Sequence, residues 1–180
     1  ALVADIGLAR CLIAGNQFPQ ALQEANRAIV FADAHGISAQ WDGRAVLLSV
    51  KATAQNNLGD AAGALASFQQ AVALMGSIVG LENPALANGY IGIGGALNDL
   101  DRPREALDAY AHAERIIAGK SVLPGTEAKI AAGFGRAWGK LGDAAKRADY
   151  YRRALAMLDN ADSAPLQDLK RKIAAEAAAP

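Results

Sequence analysis

A glycine-rich stretch, GYIGIGGALNDL at residues 89–100, contains the residue type that phosphate-binding loops use. Glycines let a backbone approach a pyrophosphate closely, and the dinucleotide-binding motif spaces them as G-x-G-x-x-G directly after a β-strand. When Gly92 and Gly94 are taken as the first two glycines, the third position is Leu97, and no strand pattern precedes Asn83 and Pro84. The spacing therefore argues against a nucleotide site and favours a helix that needs small residues for close packing.

Side chains that commonly perform catalysis or bind metals are scarce. The chain has two histidines, His35 and His112, and one cysteine, Cys11, and none of them stands at metal-ligand spacing from a suitable partner. His35 fits the last turn of a helix before Gly36, and Cys11 fits an apolar helix face. We predict no catalytic residue, no metal site and no cofactor, so that the chain is not an enzyme. An enzyme with an unrecognised site is the least favoured alternative.

The composition indicates a helical globular chain without a dominant charge. Of 180 residues, 52% are hydrophobic, and 18 Lys and Arg balance 18 Asp and Glu. A neutral chain lacks the field that draws proteins to nucleic acids, and no uninterrupted apolar run reaches the roughly 18–20 residues of a membrane span. We therefore predict neither nucleic acid nor membrane as a partner. One cysteine excludes an internal disulfide and favours the cytoplasm, although a start at Ala1 inside a helical pattern indicates a processed chain or a piece of a longer one.

Four similar turn sequences divide the chain into units. LGDAA occurs at residues 58–62 and 141–145, LDRPREAL begins at Leu100, and GNQFPQAL begins at Gly15, which gives a spacing of about 42 residues. Each turn lies between two amphipathic helical patterns, so each unit is predicted to be a helix–turn–helix. Small residues recur at one equivalent position of the first helices: Ala9, Ala52, Gly94 and Gly135. Small residues also recur in the second helices, at Ala28, Ala71, Ala113 and Ala154. In repeats two to four a large aromatic residue of the second helix comes three residues before this position: Phe68, Tyr110 and Tyr151.

These residues resemble the tetratricopeptide repeat (TPR) family, in a long-repeat variety, since the family's usual period is about 34 residues. The resemblance rests on Leu58-Gly59-Asp60 with Ala64, Phe68 and Ala71, on the corresponding Leu141-Gly142-Asp143 with Tyr151 and Ala154, and on Ala106, Tyr110 and Ala113. It implies an all-α, right-handed superhelix (α-solenoid) that forms a single domain. The expected repeats are about 2–38, 40–82, 83–122 and 124–160, followed by a C-terminal capping helix at 164–178.

The resemblance also implies that the first helices line a concave groove. The groove positions carried over to this sequence are Arg10, Ser49, Thr53, Asn56, Asn88, Asn98, Lys129, Arg136 and Lys140, with Gly95 among them. Their steps of three, four and seven residues are consistent with one face per helix. Gly92 and Gly95 are expected to leave room for a ligand to approach the backbone, unless neighbouring helices simply tolerate them. Solvated residues on an exposed helix face are the alternative interpretation of the whole set.

The groove is basic toward its C-terminal end. Lys129, Arg136 and Lys140 are expected to bind an acidic segment or a terminal carboxylate, while Asn56 and Asn98 hydrogen-bond an extended backbone. We predict a non-catalytic scaffold that binds a protein or peptide on its concave face. The alternative is a ligand-sensing or self-association segment of a larger bacterial regulatory protein, for which a homo-oligomer is expected.

Overall fold

The computed structural model describes residues 2–37, 41–123 and 125–179, and these residues form nine α-helices and no strand. A short 3-10 turn at Pro84–Leu86 precedes the fifth helix. The predicted repeat limits at Ser38, Gln40 and Pro124 lie outside the described residues. The helices are α1 (Leu2–Ala14), α2 (Phe18–Ala34), α3 (Asp42–Asn57), α4 (Ala61–Val79), α5 (Ala87–Asp99), α6 (Pro103–Ile117), α7 (Thr126–Lys140), α8 (Ala144–Ala156) and α9 (Ala164–Ala178).

The repeated LGD sequence forms the turn inside a repeat. Gly59 and Gly142 have φ values of 86° and 79°, a left-handed conformation that glycine adopts without a steric penalty. The following Asp60 and Asp143 each accept a hydrogen bond of 2.9 Å from the backbone N–H three residues later and so cap α4 and α8. The equivalent residues of the other two turns also have positive φ values although they are not glycine: Asn16 and Asp101.

Consecutive helices pack as pairs, and the pairs stack in one row. The first helices of adjacent repeats contact one another. Among the described α-helices, each second helix contacts only the first helix of its own repeat and the helix that follows it, and α4 and α6 also touch the 3-10 turn. The first helices α1, α3, α5 and α7 therefore form a common wall, with α9 in the place of a fifth first helix. Among α1, α3, α5 and α7 the wall is loosest between α3 and α5, because repeats two and three meet mainly through α4 and α5.

Glycines in the first helices accommodate aromatic rings from the second helices. The ring of Tyr110 lies over both Gly94 and Gly133, and the ring of Phe68 lies over Gly92, so closely that an added Cβ would come under 3.0 Å from each ring. Gly94 therefore has the packing role that its repeat position predicts. At Gly92 the structure differs from the sequence-based expectation, because Phe68 rather than a ligand occupies the space. Of these two glycines, Gly95 is the one that faces open space.

Helix α4 is the one described helix that is long and apolar enough to cross a membrane, with 19 residues and a mean hydropathy of 1.4. Core helices of soluble proteins meet the same two conditions of length and hydropathy, so a single helix of this kind is weak evidence for a membrane span. In this fold α4 lies between α3 and α5 and buries Leu65, Phe68, Ala71 and Val72 against them. Seven of its 19 residues are buried, so burial inside the array accounts for part of its apolar composition.

Candidate functional site

A cavity of about 660 Å³ opens where the wall of first helices is loosest, between α3 and α5. We refer to it as the concave cavity. Side chains of α4 form its floor, α3 and α5 form its sides, and α1 and α7 each contribute one residue. The lining thus includes five of the nine groove residues expected from the sequence: Arg10, Ser49, Thr53, Asn88 and Lys129.

The floor of the concave cavity is apolar and closely packed. It contains Phe68, Val72 and Met75 from α4, and Ile91 lies on the α5 side. An added Cβ at Gly92 would meet the Phe68 ring, and one at Gly89 would meet Val72. Helices α4 and α5 therefore approach closely. The glycines thus serve the site indirectly, since they let the floor side chains sit beneath the opening between α3 and α5.

The polar part of the lining combines hydroxyl groups with two positive charges. Ser49 Oγ donates to the Ala45 carbonyl at 2.9 Å, and Thr53 Oγ1 donates to the Ser49 carbonyl at 2.8 Å. Each hydroxyl oxygen can still accept a hydrogen bond from a ligand. Arg10 and Lys129 are exposed and form no ion pair with any residue the structure describes, and the lining includes no carboxylate. The cavity is therefore electropositive.

The other predicted basic residues lie elsewhere and are already paired. Arg136 Nη2 lies 2.6 Å from Glu176 Oε1 of α9, and Lys140 Nζ lies 3.2 Å from Asp101 Oδ1. Both line a second cavity, of about 440 Å³, between α7, α8 and α9. The carboxylates of Glu176 and Asp101 thus neutralise the C-terminal end of the predicted basic groove. The sequence-based interpretation expected an acidic partner to bind there.

Burial and charge act in opposite directions on the groups around Glu176. Burial is the largest single effect and lowers the pKa of Arg136, but the charge and hydrogen bond of Glu176 together with Tyr110 and Tyr151 outweigh it, so the pKa is raised. Burial is the main cause of the raised pKa of Tyr151, and the negative charge of Glu176 adds to it. The Tyr151 hydroxyl donates to Glu176 Oε2 at 3.3 Å. Near neutral pH the arginine is therefore charged and the tyrosine carries its proton.

The two asparagines expected to bind a peptide backbone differ in position. Asn56 is half-buried, and its Nδ2 donates to Asp99 Oδ2 at 3.2 Å. Asn98 is 0% exposed, and its Nδ2 donates to the Tyr110 hydroxyl, also at 3.2 Å. The structure therefore differs from the expectation at Asn98, which lies in the core because its amide satisfies a buried tyrosine instead of a ligand.

The described residues include no group of three or more His, Cys, Asp or Glu side chains that could hold a metal ion. The rings of His112 and Tyr90 are tilted to each other with centroids 4.1 Å apart, and the exposed Cys11 lies on α1. The described residues thus provide surfaces that can bind a ligand through apolar contact, hydrogen bonds and charge.

The fold matches solved structures of TPR-like repeats. Two crystal structures of nearly identical TPR-like repeats, from a Podosopora anserina protein assigned to kinesin light chains and from a point variant of it, align with TM-scores of 0.69 and 0.70. Both are 18% identical in sequence, and both alignments cover 98% of this chain and 84% of the other. No protein-family model matches the chain, and no curated protein matches it. The predicted all-α repeat fold of TPR type is confirmed.

TPR-like repeats generally mediate protein interactions, and proteins built from them are typically non-catalytic scaffolds. At 18% identity the likeness concerns the fold. The nature of a ligand has to be argued from the residues of the cavities.

Proposed function

We propose that the chain is a non-catalytic interaction scaffold that holds an extended peptide segment of another protein in the concave cavity between α3 and α5. The observation that supports this proposal is the cavity itself, in which an apolar floor is combined with polar sides. Its volume of about 660 Å³ lies within the roughly 300–1,000 Å³ of ligand sites in proteins.

The lining indicates which peptide fits. An apolar side chain of the peptide would pack on Phe68, Val72 and Met75, where burial of apolar surface supplies affinity. Backbone N–H groups of the peptide would donate to the hydroxyl oxygens of Ser49 and Thr53, because these oxygens keep a free lone pair. The apolar anchor and the hydrogen bonds would together fix the direction of the bound segment.

The proposed peptide is acidic, because the cations available to bind it lie at the middle of the groove and not at its C-terminal end. Arg136 and Lys140 are paired within the chain, whereas Arg10 and Lys129 are unpaired in the described part and lie at the cavity. Carboxylates of a peptide that lies between these two cations would form charge-assisted hydrogen bonds with them. We therefore propose that the acidic segment expected from the sequence binds at the concave cavity.

The test begins by selecting peptides from a random library displayed on phage against the native chain. We expect the enriched peptides to combine an apolar residue with Asp or Glu. Binding of one synthetic enriched peptide is then measured by calorimetry for two charge reversals, Arg10→Glu and Lys129→Glu, and for a matched control, Arg104→Glu, at an exposed cation of α6. Each reversal at the cavity is expected to weaken binding by about tenfold, and the control by less than about twofold.

Equal binding by the native chain and both cavity variants would contradict the proposed site, and so would a selection that enriches no sequence. The alternative of a sensing or self-association segment of a bacterial regulator stays a prediction, as does the cytoplasmic location. Sedimentation of the native chain over a range of concentrations tests self-association directly, since the mass of an associating chain rises with concentration.

A further inference from the structure

The carboxylate of Glu176 near the end of α9 is held by two groups of the last repeat. Arg136 Nη2 approaches Oε1 at 2.6 Å, and the Tyr151 hydroxyl donates to Oε2 at 3.3 Å. Arg136 comes from α7 and Tyr151 from α8, so the carboxylate bridges both helices of the repeat. Binding by a cation and a phenol together is more specific than a pair of surface charges.

A third group recognises the helix end that carries this carboxylate. The Arg147 guanidinium donates to the backbone carbonyl of Glu176 at 3.1 Å and to that of Ala179. The last carbonyl groups of a helix have no partner within the helix, and the helix dipole adds negative charge there. Arg136, Arg147 and Tyr151 therefore bind one combined feature, a helical C-terminal turn that carries a carboxylate.

Helix α9 is shallowly attached to the array. Within α9 only Ile173 is buried, at 3% exposure, whereas α7, the equivalent first helix of the repeat before it, buries nine residues. Leu166 and Leu169 are half-buried. Because apolar burial is the main attraction between packed helices, α9 is held more weakly than α7 and depends more on its polar contacts.

Open space lies directly beside this contact. The cavity of about 440 Å³ is lined by Arg136, Lys140, Arg147 and Tyr151 as well as by Glu176. An incoming carboxylate can therefore reach the same cations before Glu176 leaves them. This cavity shares no lining residue with the concave cavity.

We propose that Arg136, Arg147 and Tyr151 form a second binding site, which accepts the carboxylate-bearing C-terminal turn of a helix from a partner protein. Helix α9 is the exchangeable occupant of this site within the chain. A partner helix with a glutamate one turn before its end competes with α9 for the three side chains. The inference goes beyond the concave cavity and its extended peptide, and neither proposal depends on the other.

The probe is a fluorescent peptide with the sequence of residues 164–179, because this is the helix whose fit is observed. The native chain is expected to bind it weakly, since its own α9 is tethered at an effective concentration on the order of millimolar. The Glu176→Gln chain should bind it about tenfold more tightly, because the internal occupant loses its charge. A further Arg147→Gln substitution should return binding to the native level, and the matched control Glu114→Gln, which removes an exposed carboxylate of α6, should leave it there.

A Glu176→Gln chain that binds the peptide no better than the native chain would overturn the proposal. Circular dichroism shows whether that variant is folded, and hydrogen exchange of the native chain supplies a test that needs no variant. Amides of residues 164–179 should exchange about tenfold faster than those of residues 126–140 if α9 opens independently. Equal protection of the two segments would overturn the proposal, and so would a doubling of mass with concentration, since the occupant would then be α9 of a second copy.

Discussion

The side-chain amide of Asn98 donates a hydrogen bond to the phenol oxygen of Tyr110 over 3.2 Å inside the array. Tyr110 is 1% exposed and Asn98 is 0% exposed, so water does not reach the bond from outside. Asn98 Oδ1 has no hydrogen-bond partner among the described residues. The phenol oxygen of Tyr110 is thus the hydrogen-bond acceptor for the buried side-chain amide of Asn98.

Replacing Tyr110 by phenylalanine should destabilise the chain by about 1–3 kcal/mol, because it leaves the buried amide of Asn98 without an acceptor. Urea unfolding followed by circular dichroism measures the loss. Tyr90→Phe is the matched control: Tyr90 is half-buried and its hydroxyl has no hydrogen-bond partner in the described part of the chain, so the change should stay within about 0.5 kcal/mol. Equal losses for the two variants would show that the buried bond contributes nothing.

The stability of the chain should fall at high pH because of the same tyrosine. Burial raises the pKa of Tyr110 to about 12, against the opposing effects of Arg136 and of the hydrogen bond from Asn98. In the unfolded chain a tyrosine ionises near pH 10, so the contribution is fully present below that pH and is lost as the pH rises toward 12.

The expected slope from this group approaches 1.4 kcal/mol per pH unit, about the value of one pKa unit. Free energies of unfolding at a series of pH values between 8 and about 11 should therefore fall more steeply for the native chain than for Tyr110→Phe. Tyr151, whose pKa is also raised, is present in both chains and cancels in the comparison. Parallel curves would contradict the assignment to Tyr110.

Two glycines of the first helices should respond in opposite directions to the same substitution. Gly95→Ala places a methyl group in open space and should raise stability by about 0.5–1 kcal/mol, because alanine loses less backbone entropy in a helix. Gly133→Ala places it under 3.0 Å from the Tyr110 ring and should cost about 1–3 kcal/mol. Thermal unfolding of the two variants decides this, since the midpoint should rise for the first and fall for the second. Changes of the same sign would contradict the packing described for Tyr110.

The repeat fold could be predicted because its signals are local. The turn glycine, the capping aspartate and the small residues at fixed steps each fix a piece of backbone or a close contact within one repeat. The close approach at Gly94 followed from its place in the repeat, since alanine or glycine occupies that position in every unit. Such features need no knowledge of distant parts of the chain.

The contacts that the predicted groove residues make could not be predicted in the same way. Asn56 and Asn98 stand at equivalent repeat positions, but Asn98 lies in the core because the aromatic residue of its repeat is a tyrosine, whose hydroxyl needs a partner when buried. Comparing Tyr110 with Phe68, its equivalent in the previous repeat, is the signal that could have revealed this. The pairing of Arg136 with Glu176 depends on where α9 docks, 40 residues along the chain.

The loose junction between α3 and α5 also has a mechanical consequence. Because each repeat touches only its neighbours, a pulling force applied at the two ends of the array passes through every junction in series. At the junction of repeats two and three the load is carried mainly by α4 against α5, because α3 and α5 touch little. A ligand that bridges α3 and α5 acts there as a second strut in parallel. On the proposed function, a peptide in the concave cavity would therefore stiffen the array at this junction.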